Sequence, residues 1–170
     1  MTGKRIYSNV AVAAEAGGFR VALDERSVKT PARHVLVVAN KALAEAVADE
    51  WRAQQDEIRH ETMPVTRYVC TVIDRVTPAR AEVVAETAKF GETDLLCYRV
   101  EAPRELAKRQ IAAWQPLLEW ARSKYDAKLA TTVGVMAIDQ DPAALARLRQ
   151  AVEVENDFTL TGNEADMVDD

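Results

Sequence analysis

The spacing of hydrophobic and polar residues changes along the chain from a period of two to a helical period. Apolar residues alternate with other types over residues 19–23, directly behind the pair Gly17-Gly18. Such alternation is typical of a half-buried strand in a hairpin. The continuous apolar run 35–38 predicts a further, buried strand. The first part of the chain is therefore expected to form a small sheet.

From Asn40 onward the apolar positions follow the period of a helix. Leu43, Val47 and Trp51 recur at every fourth position, which places them on one helical face, and Asn40 suits the N-cap. Further helices are predicted over residues 66–73, 77–90, 103–117 and 141–152. Pro116 falls inside one of these patterns, so that helix is either kinked there or divided into two.

Together the two periods predict an α+β fold, with a small antiparallel β-rich N-terminal subdomain followed by a mainly helical subdomain. We expect residues 1–60 to form the β-rich subdomain with one helix, and residues 61–152 to form the helical subdomain. Residues 153–170 contain seven of the 27 acidic residues and no Lys or Arg. This composition predicts an acidic, frayed tail.

Charge and cysteine content restrict the classes of protein that the chain can represent. The 170 residues carry a formal net charge of −5, yet the part before the tail is nearly balanced, with 22 basic and 20 acidic residues. No basic face of the size that nucleic acid requires is therefore expected. No apolar run reaches transmembrane length, so no membrane insertion is expected. Cys70 and Cys97 lack metal-ligand spacing and predict free thiols in a reducing compartment, with no metal and no cofactor.

Cys97 and the carboxylates of Asp74 and Asp94 are the candidates for catalysis. A small cytosolic enzyme would need two of these groups within hydrogen-bond reach in a cleft. Structural ion pairs of Asp74 with Arg75, and of Asp94 with Arg99, explain the carboxylates more simply. For Asp94, hydrogen bonds from a local backbone turn are the alternative to the pair with Arg99. The chain also has no phosphate-binding glycine motif and no nucleophile elbow. The sequence thus favours a binding protein over an enzyme, which is kept as the alternative.

The three tryptophans, Trp51, Trp114 and Trp120, are the largest apolar side chains of the sequence. Aromatic rings of this size dominate the energetics of cores and interfaces. We expect them to be core residues or anchors of helix packing, with a role as interface anchors as the alternative.

A series of short motifs occurs in order along the chain and is most specific over residues 93–99 and 109–120. The motifs are Arg5-Ile6-Tyr7, Gly18-Phe19 followed by Leu23-Asp24-Glu25-Arg26, Lys29-Thr30-Pro31, Glu50-Trp51 with Gln54, Met63-Pro64-Val65-Thr66-Arg67, Ile73-Asp74-Arg75, Thr93-Asp94-Leu95-Leu96-Cys97-Tyr98-Arg99, and Arg109-Gln110 with Trp114, Pro116-Leu117-Leu118 and Trp120. From about residue 5 to residue 160, this ordered set resembles the ATP-twelve (ATP12) family of assembly chaperones for the soluble catalytic sector of F-type ATP synthase.

The resemblance implies a non-enzymatic chaperone that binds the free α subunit of the ATP synthase and prevents its aggregation until it pairs with β. It implies a cytoplasmic protein in bacteria, a mitochondrial matrix protein in eukaryotic relatives, and a monomer when free. The residues expected to contact the bound subunit, here called the client, are Trp114, Leu117 and Trp120. The motif residues expected to have structural roles are Trp51, Arg67, Asp74, Asp94 and Arg99.

At the C-terminus the sequence departs from the family pattern. That pattern continues beyond residues 157–160 into further helices, which include an acidic position associated with binding of the α subunit. Here an unrelated acidic run leads to Asp170, so this part of the pattern is missing or divergent. Glu164, Asp166 and Asp169 do not match the acidic position by motif, and the role is assigned to none of them.

Overall fold

The computed structural model of the protein describes residues 3–165 and divides into two compact units, residues 1–79 and 80–170. Antiparallel strands come first and helices dominate the rest, which confirms the predicted α+β class. The first unit extends to residue 79, and within it the helix that begins at Pro64 packs against the preceding helix.

The first unit contains a four-stranded sheet, a separate strand pair and two α-helices. Its elements are β1 (Gly3–Lys4), β2 (Val10–Glu15), β3 (Gly18–Leu23), β4 (Arg26–Ser27), β5 (Val37–Val38), α1 (Lys41–Ala53), β6 (Glu57–Ile58), α2 (Pro64–Thr71) and a π-helical turn, Val72–Val76. The strands β2 and β3 form the predicted hairpin, with Val10 opposite Leu23. Both β4 and β5 pair antiparallel with β3, and β1 pairs with β6. Gly18 has a positive φ, and a Cβ there would collide with the Val38 carbonyl oxygen.

The core of the first unit lies between α1 and the strands β2 and β3. The helix buries one face, formed by Ala44, Val47, Ala48 and Trp51. The predicted strand 35–38 is shorter than expected, since only Val37–Val38 pairs with β3. Burial of this apolar face stabilises α1, because helix propensity alone contributes little to the stability of an amphipathic helix.

Glu50 links α1 to α2. Its carboxylate accepts hydrogen bonds from the backbone N–H groups of Val65 at 2.8 Å and Thr66 at 2.7 Å, and from the Thr66 hydroxyl at 2.7 Å. These N–H groups lie in the first turn of α2, where no intrahelical acceptor exists and negative charge is favourable. The position of α2 beside α1 is thus fixed by charge as well as by apolar contact.

The second unit is mainly helical. Its elements are α3 (Arg80–Lys89), β7 (Tyr98–Arg99), α4 (Arg104–Tyr125), β8 (Thr132–Val133), α5 (Pro142–Glu153) and α6 (Asp157–Ala165), with short 3-10 turns at Phe90–Glu92 and Leu95–Cys97. The helix α3 packs against α5 and α6, while α4 contacts α5 and β7. The two short strands pair in parallel. Pro116 lies inside α4, which continues through it as one helix.

Part of the segment predicted as a frayed tail is helical. Residues 157–165 form α6, and its Leu160 is fully buried. The Arg80 guanidinium binds the Asp157 carboxylate and donates to the carbonyl oxygens of Glu153 at 2.8 Å and Glu155 at 2.6 Å. An apolar side chain in the core and an arginine that satisfies three acceptors stabilise this helix, and neither is evident from acidic composition. Residues 166–170 of the predicted tail lie outside the described residues.

Candidate functional site

One face of α4 presents large apolar side chains to solvent. Leu117 is 49% exposed and Trp120 is 53% exposed, and Leu106 lies exposed on the same helix. At about 100° per residue these three positions fall within an arc of about 60°. We call Leu106, Leu117 and Trp120 the α4 stripe.

The opposite side of α4 carries a single exposed apolar residue. Ile111 is 55% exposed, and it lies about 180° around the helix from Trp120. Between these two sides, Trp114 is half-buried and Leu118 is buried. The two tryptophans of α4 therefore face in different directions, with Trp114 inward and Trp120 outward.

Arg99 contacts α4 through the ring of Trp114. Its guanidinium lies over the Trp114 ring, with Cζ 5.1 Å from the ring centroid, and Nη1 donates to the Leu96 carbonyl oxygen. The Arg99 side chain is buried, and a cation stacked on tryptophan at such a site is a favourable contact. The Arg99 carbonyl oxygen also accepts the Gly134 N–H at 2.8 Å. One residue thus connects β7, α4 and the loop that follows β8.

Neither of the two ion pairs predicted from sequence forms among the residues described. Adjacent residues of a helical turn do not face each other, so Arg75 does not reach Asp74. Asp94 instead accepts the backbone N–H of Leu96 at 2.8 Å and caps the 3-10 turn, which is the local backbone turn expected as its alternative partner. The Arg99 guanidinium donates to the Leu96 carbonyl oxygen.

Asp74 joins the π-helical turn to the loop 30–34. Its carboxylate accepts from the Thr30 hydroxyl at 2.6 Å and the Ala32 N–H at 2.9 Å, and lies 3.0 Å from His34 Nδ1. Burial alone would raise the pKa of this carboxyl, but the hydrogen bonds from Thr30, Ala32 and His34 together hold the pKa below its usual value. The charged form of Asp74 is therefore the stable one in the folded chain.

A cleft of about 580 Å³ lies beside Asp74 in the first unit. It is lined by Lys29, Thr30, Pro31, Trp51, His60, Thr66, Arg67, Cys70, Thr71, Asp74 and Arg75. Most of these residues belong to the short motifs that carry the family resemblance. Motifs that are separated in sequence, at residues 29–31, 50–51, 63–67 and 73–75, thus meet around one cleft.

Cys97, the candidate nucleophile, is fully buried. Burial raises the pKa of its thiol, and the nearby charge of Asp94 raises it further. A thiol with a raised pKa stays protonated at neutral pH and is a poor nucleophile. No cluster of His, Cys, Asp or Glu residues suited to a metal ion occurs between residues 3 and 165. None of the helices in the same range combines the length and apolar character that crossing a bilayer requires.

Sequence reasoning missed an exposed apolar loop that follows β8. Val135 is 93% exposed, and Val133 and Met136 are also largely exposed. The strand β8 ends after two residues because Gly134, with φ of 94°, interrupts the apolar run. A glycine within an apolar run is the signal that could have indicated a projecting loop.

Comparison with known proteins gives consistent results. Residues 4–122 match the family described as ATP12 chaperone protein. The chain is 27% identical over 173 residues to "Protein atp12, mitochondrial" of Schizosaccharomyces pombe, covering 95% of this chain and 60% of that protein. Its structure is similar to the crystal structure of Atp12 from Paracoccus denitrificans, with a TM-score of 0.88 and 40% identity over 93% of this chain and 68% of the other. It is also similar to the Atu1473 protein of Agrobacterium tumefaciens, with a TM-score of 0.82 and 36% identity over 94% of this chain and 60% of that one.

Proposed function

Since the chain belongs to the ATP12 family of chaperone proteins, we propose that it is an assembly chaperone of the F-type ATP synthase. Its client is the unassembled α subunit of the catalytic sector, which it binds and keeps from aggregating. The chain spans 60% of the length of the S. pombe relative, and the proposal concerns the activity of the part present here.

The observation that carries this proposal is the α4 stripe. Monomeric proteins rarely expose contiguous large apolar side chains unless the surface binds something. An unassembled subunit exposes the apolar surface that its neighbour will later cover, and a chaperone must cover it first. Leu117 and Trp120, each about half exposed, supply an apolar surface of this kind, and tryptophan is enriched among residues that dominate binding energy.

The surroundings of Trp120 suit a contact that forms and is later released. Its ring packs edge-on against Tyr125, with centroids 5.4 Å apart, and Lys124 Nζ lies 5.1 Å from the Trp120 centroid. The indole is thus held in one orientation before binding, which lowers the entropic cost of ordering it. Charged residues around an apolar centre are typical of interfaces between proteins that exist separately.

Trp114 and Arg99 have a supporting role in this proposal. Because Trp114 is half-buried beneath the Arg99 guanidinium, it holds α4 in place and contributes little exposed surface. The client contacts expected at Trp114, Leu117 and Trp120 are therefore concentrated on the latter two.

The proposed chaperone acts as a monomer, without a cofactor, where unassembled subunits are made or imported. For a bacterial protein this is the cytoplasm, and for eukaryotic relatives it is the mitochondrial matrix, in keeping with the S. pombe relative that is named mitochondrial. The alternative of a small enzyme is weaker, because Asp74 and Asp94 are each held by structural hydrogen bonds and the Cys97 thiol is buried with a raised pKa.

Co-expression with the ATP synthase α subunit tests the proposal. The full chain should increase the soluble fraction of the α subunit and elute with it in gel filtration. The double variant Leu117→Ser with Trp120→Ser should lose most of this effect, since it removes the outward apolar surface while leaving Trp114 and Leu118 in place.

Ile111→Ser is the matched control. It removes an apolar side chain of similar exposure from the opposite side of the same helix, and it should retain full activity. If the α subunit stays as insoluble with the chain as without it, the proposed activity is refuted. If Ile111→Ser is as defective as the double variant, binding does not use the α4 stripe.

A further inference from the structure

The cleft in the first unit has a positive lining although the chain as a whole is acidic, with a net charge of −5. Three cationic side chains, Lys29, Arg67 and Arg75, face one carboxylate, Asp74, so the formal charge of the lining is +2 with His60 neutral. We propose that this cleft binds the phosphate group of a small phosphorylated ligand. This proposal is independent of client binding by α4.

The three cations are available to a ligand. Within the part of the chain that the structure describes, the side chains of Lys29, Arg67 and Arg75 form no ion pair and no hydrogen bond. Other arginines of the same unit are paired, as Arg52 is with Glu45 and Asp49. Cations that gather around a cleft without carboxylate partners raise the local concentration of anions.

Asp74 does not neutralise these cations by direct contact. Both of its oxygens accept hydrogen bonds from the loop 30–34, at 2.6 Å from the Thr30 hydroxyl and 2.9 Å from the Ala32 N–H. The carboxylate fixes that loop, and with it Lys29, at the edge of the cleft. Cys70, which also lines the cleft, adds no charge, because burial raises the pKa of its thiol and Asp74 raises it further.

A buried donor in the lining also lacks an acceptor. Trp51 is 8% exposed, and its indole Nε1 has no hydrogen-bond partner among residues 3–165. The Nε1 atom is itself closed to solvent, so the indole N–H reports on changes in the lining of the cleft and does not bind the anion directly.

Helical geometry brings the cations to one side of the cleft. Arg67, Thr71 and Arg75 follow each other at spacings of four along α2 and the π-helical turn Val72–Val76, which places them on one face. Single π-helical turns within helices are frequent at functional sites. Arginine is also the residue best suited to phosphate, since its guanidinium donates two parallel hydrogen bonds.

The size and charge of the cleft select the class of ligand. Its volume of about 580 Å³ lies within the range of small-molecule sites and leaves room for more than the phosphate itself. A phosphate monoester carries a charge of about −1.5 to −2 at neutral pH, which matches the lining charge of +2. A single carboxylate would leave the lining positive.

The test is a calorimetric titration of the full chain with inorganic phosphate as the probe. It is done at neutral pH, with sodium chloride adjusted to keep the ionic strength constant. We expect saturable binding that weakens about tenfold or more in Arg67→Gln and in Arg75→Gln, since each loses charge-assisted hydrogen bonds. Both side chains are exposed and unpaired, so both variants should fold, as circular dichroism would verify. Lys41→Gln is the control, because Lys41 is an exposed cation of the same unit outside the cleft.

A second measurement locates the bound anion. The Trp51 indole N–H resonance, assigned by its loss in Trp51→Phe, should shift on addition of phosphate, and the shift should be absent in Arg67→Gln. Acetate, titrated in parallel, should bind more weakly than phosphate. The proposal is overturned by no saturable binding, by binding that Lys41→Gln weakens as much as the arginine variants do, or by acetate binding as tightly as phosphate.

Discussion

The helices α1 and α4 each carry tryptophan on an apolar face, yet they use that face in opposite ways. On α1 the residues Ala44, Val47, Ala48 and Trp51 form a buried face, and Trp51 packs edge-on against Tyr7 with ring centroids 5.9 Å apart. On α4 only Leu118 is buried, while Leu117 and Trp120 face solvent. A sheet lies against α1 and covers its face. Apolar periodicity therefore predicts a helix with one apolar face that needs to be covered. It does not indicate whether the same chain or a partner protein covers that face.

Two aspartates show the same contrast between the units. Asp74 in the first unit accepts from Thr30, Ala32 and His34, which belong to a loop some forty positions earlier in the chain. Asp94 in the second unit accepts from Leu96, only two residues away. The first carboxylate holds distant segments together, and the second shapes a single turn. We expect the cost of losing each one to differ accordingly.

The largest effect is expected from Trp51→Ala. Removing a buried tryptophan from a packed core costs about 3–5 kcal/mol, and the contact with Tyr7 is lost as well. Trp120→Ala should cost about 1 kcal/mol or less, since most surface substitutions have small effects. Urea unfolding followed by circular dichroism measures both variants.

Together these two variants test the contrast between the helices. If Trp120→Ala destabilises the chain as much as Trp51→Ala, then Trp120 is a core residue and the proposed client surface loses its main anchor. Trp120→Phe, which keeps an aromatic ring against Tyr125, separates loss of the ring contact from loss of the indole.

A smaller, pH-dependent effect is expected from Asp74→Asn. The pKa of Asp74 is lower in the folded chain than its usual value of 3.8. As the pH falls, Asp74 is therefore protonated in the unfolded chain before it is protonated in the folded chain. The carboxylate therefore stabilises the fold above about pH 4, and this contribution is lost as the pH falls through the lower pKa of the folded state. At neutral pH the variant should be less stable by about 1–3 kcal/mol.

Urea unfolding of the wild type and Asp74→Asn, at neutral pH and at a pH well below 4, measures this difference. The difference in free energy of unfolding between the two proteins should be smaller in acid than at neutral pH. Asp56→Asn, which changes an exposed aspartate of the same unit, should show no such difference at either pH. If the difference in free energy of unfolding between Asp74→Asn and the wild type stays constant with pH, the charge of Asp74 does not stabilise the fold.

Local signals predicted much of the fold. The hairpin around Gly17-Gly18, the face of α1 and the helix beginning after Pro103 all depend on neighbouring residues, and each is present. The helix α6 was missed because its stability depends on Arg80, more than seventy positions away in sequence. Composition indicates how polar a segment is, but not whether a distant arginine satisfies its carbonyl oxygens.

The candidate site was predictable only in part, for the same reason. The sequence left open whether Trp114 and Trp120 are core residues or interface residues. The packing of the folded chain shows that Trp114 faces inward, beneath the Arg99 guanidinium. The cleft in the first unit was not predicted, although most of its lining residues stand in motifs that sequence had singled out. Lys29, Trp51 and Arg75 come from three elements, and no local pattern relates them.

A smaller effect than that of Asp74→Asn is expected from Asp94→Ala, which completes the comparison of the two aspartates. The variant loses the hydrogen bond from the Leu96 N–H at 2.8 Å, and loss of a capping side chain costs about 1 kcal/mol. Asp94→Asn should be nearly neutral, because its amide oxygen can accept the same hydrogen bond. The melting temperatures of both variants measure the difference. A wild-type melting temperature for Asp94→Ala would contradict the capping role, whereas a loss as large in Asp94→Asn as in Asp94→Ala would mean that the charge and not the cap is needed. That second result would bring Asp94 closer to Asp74 and weaken the contrast between the two units.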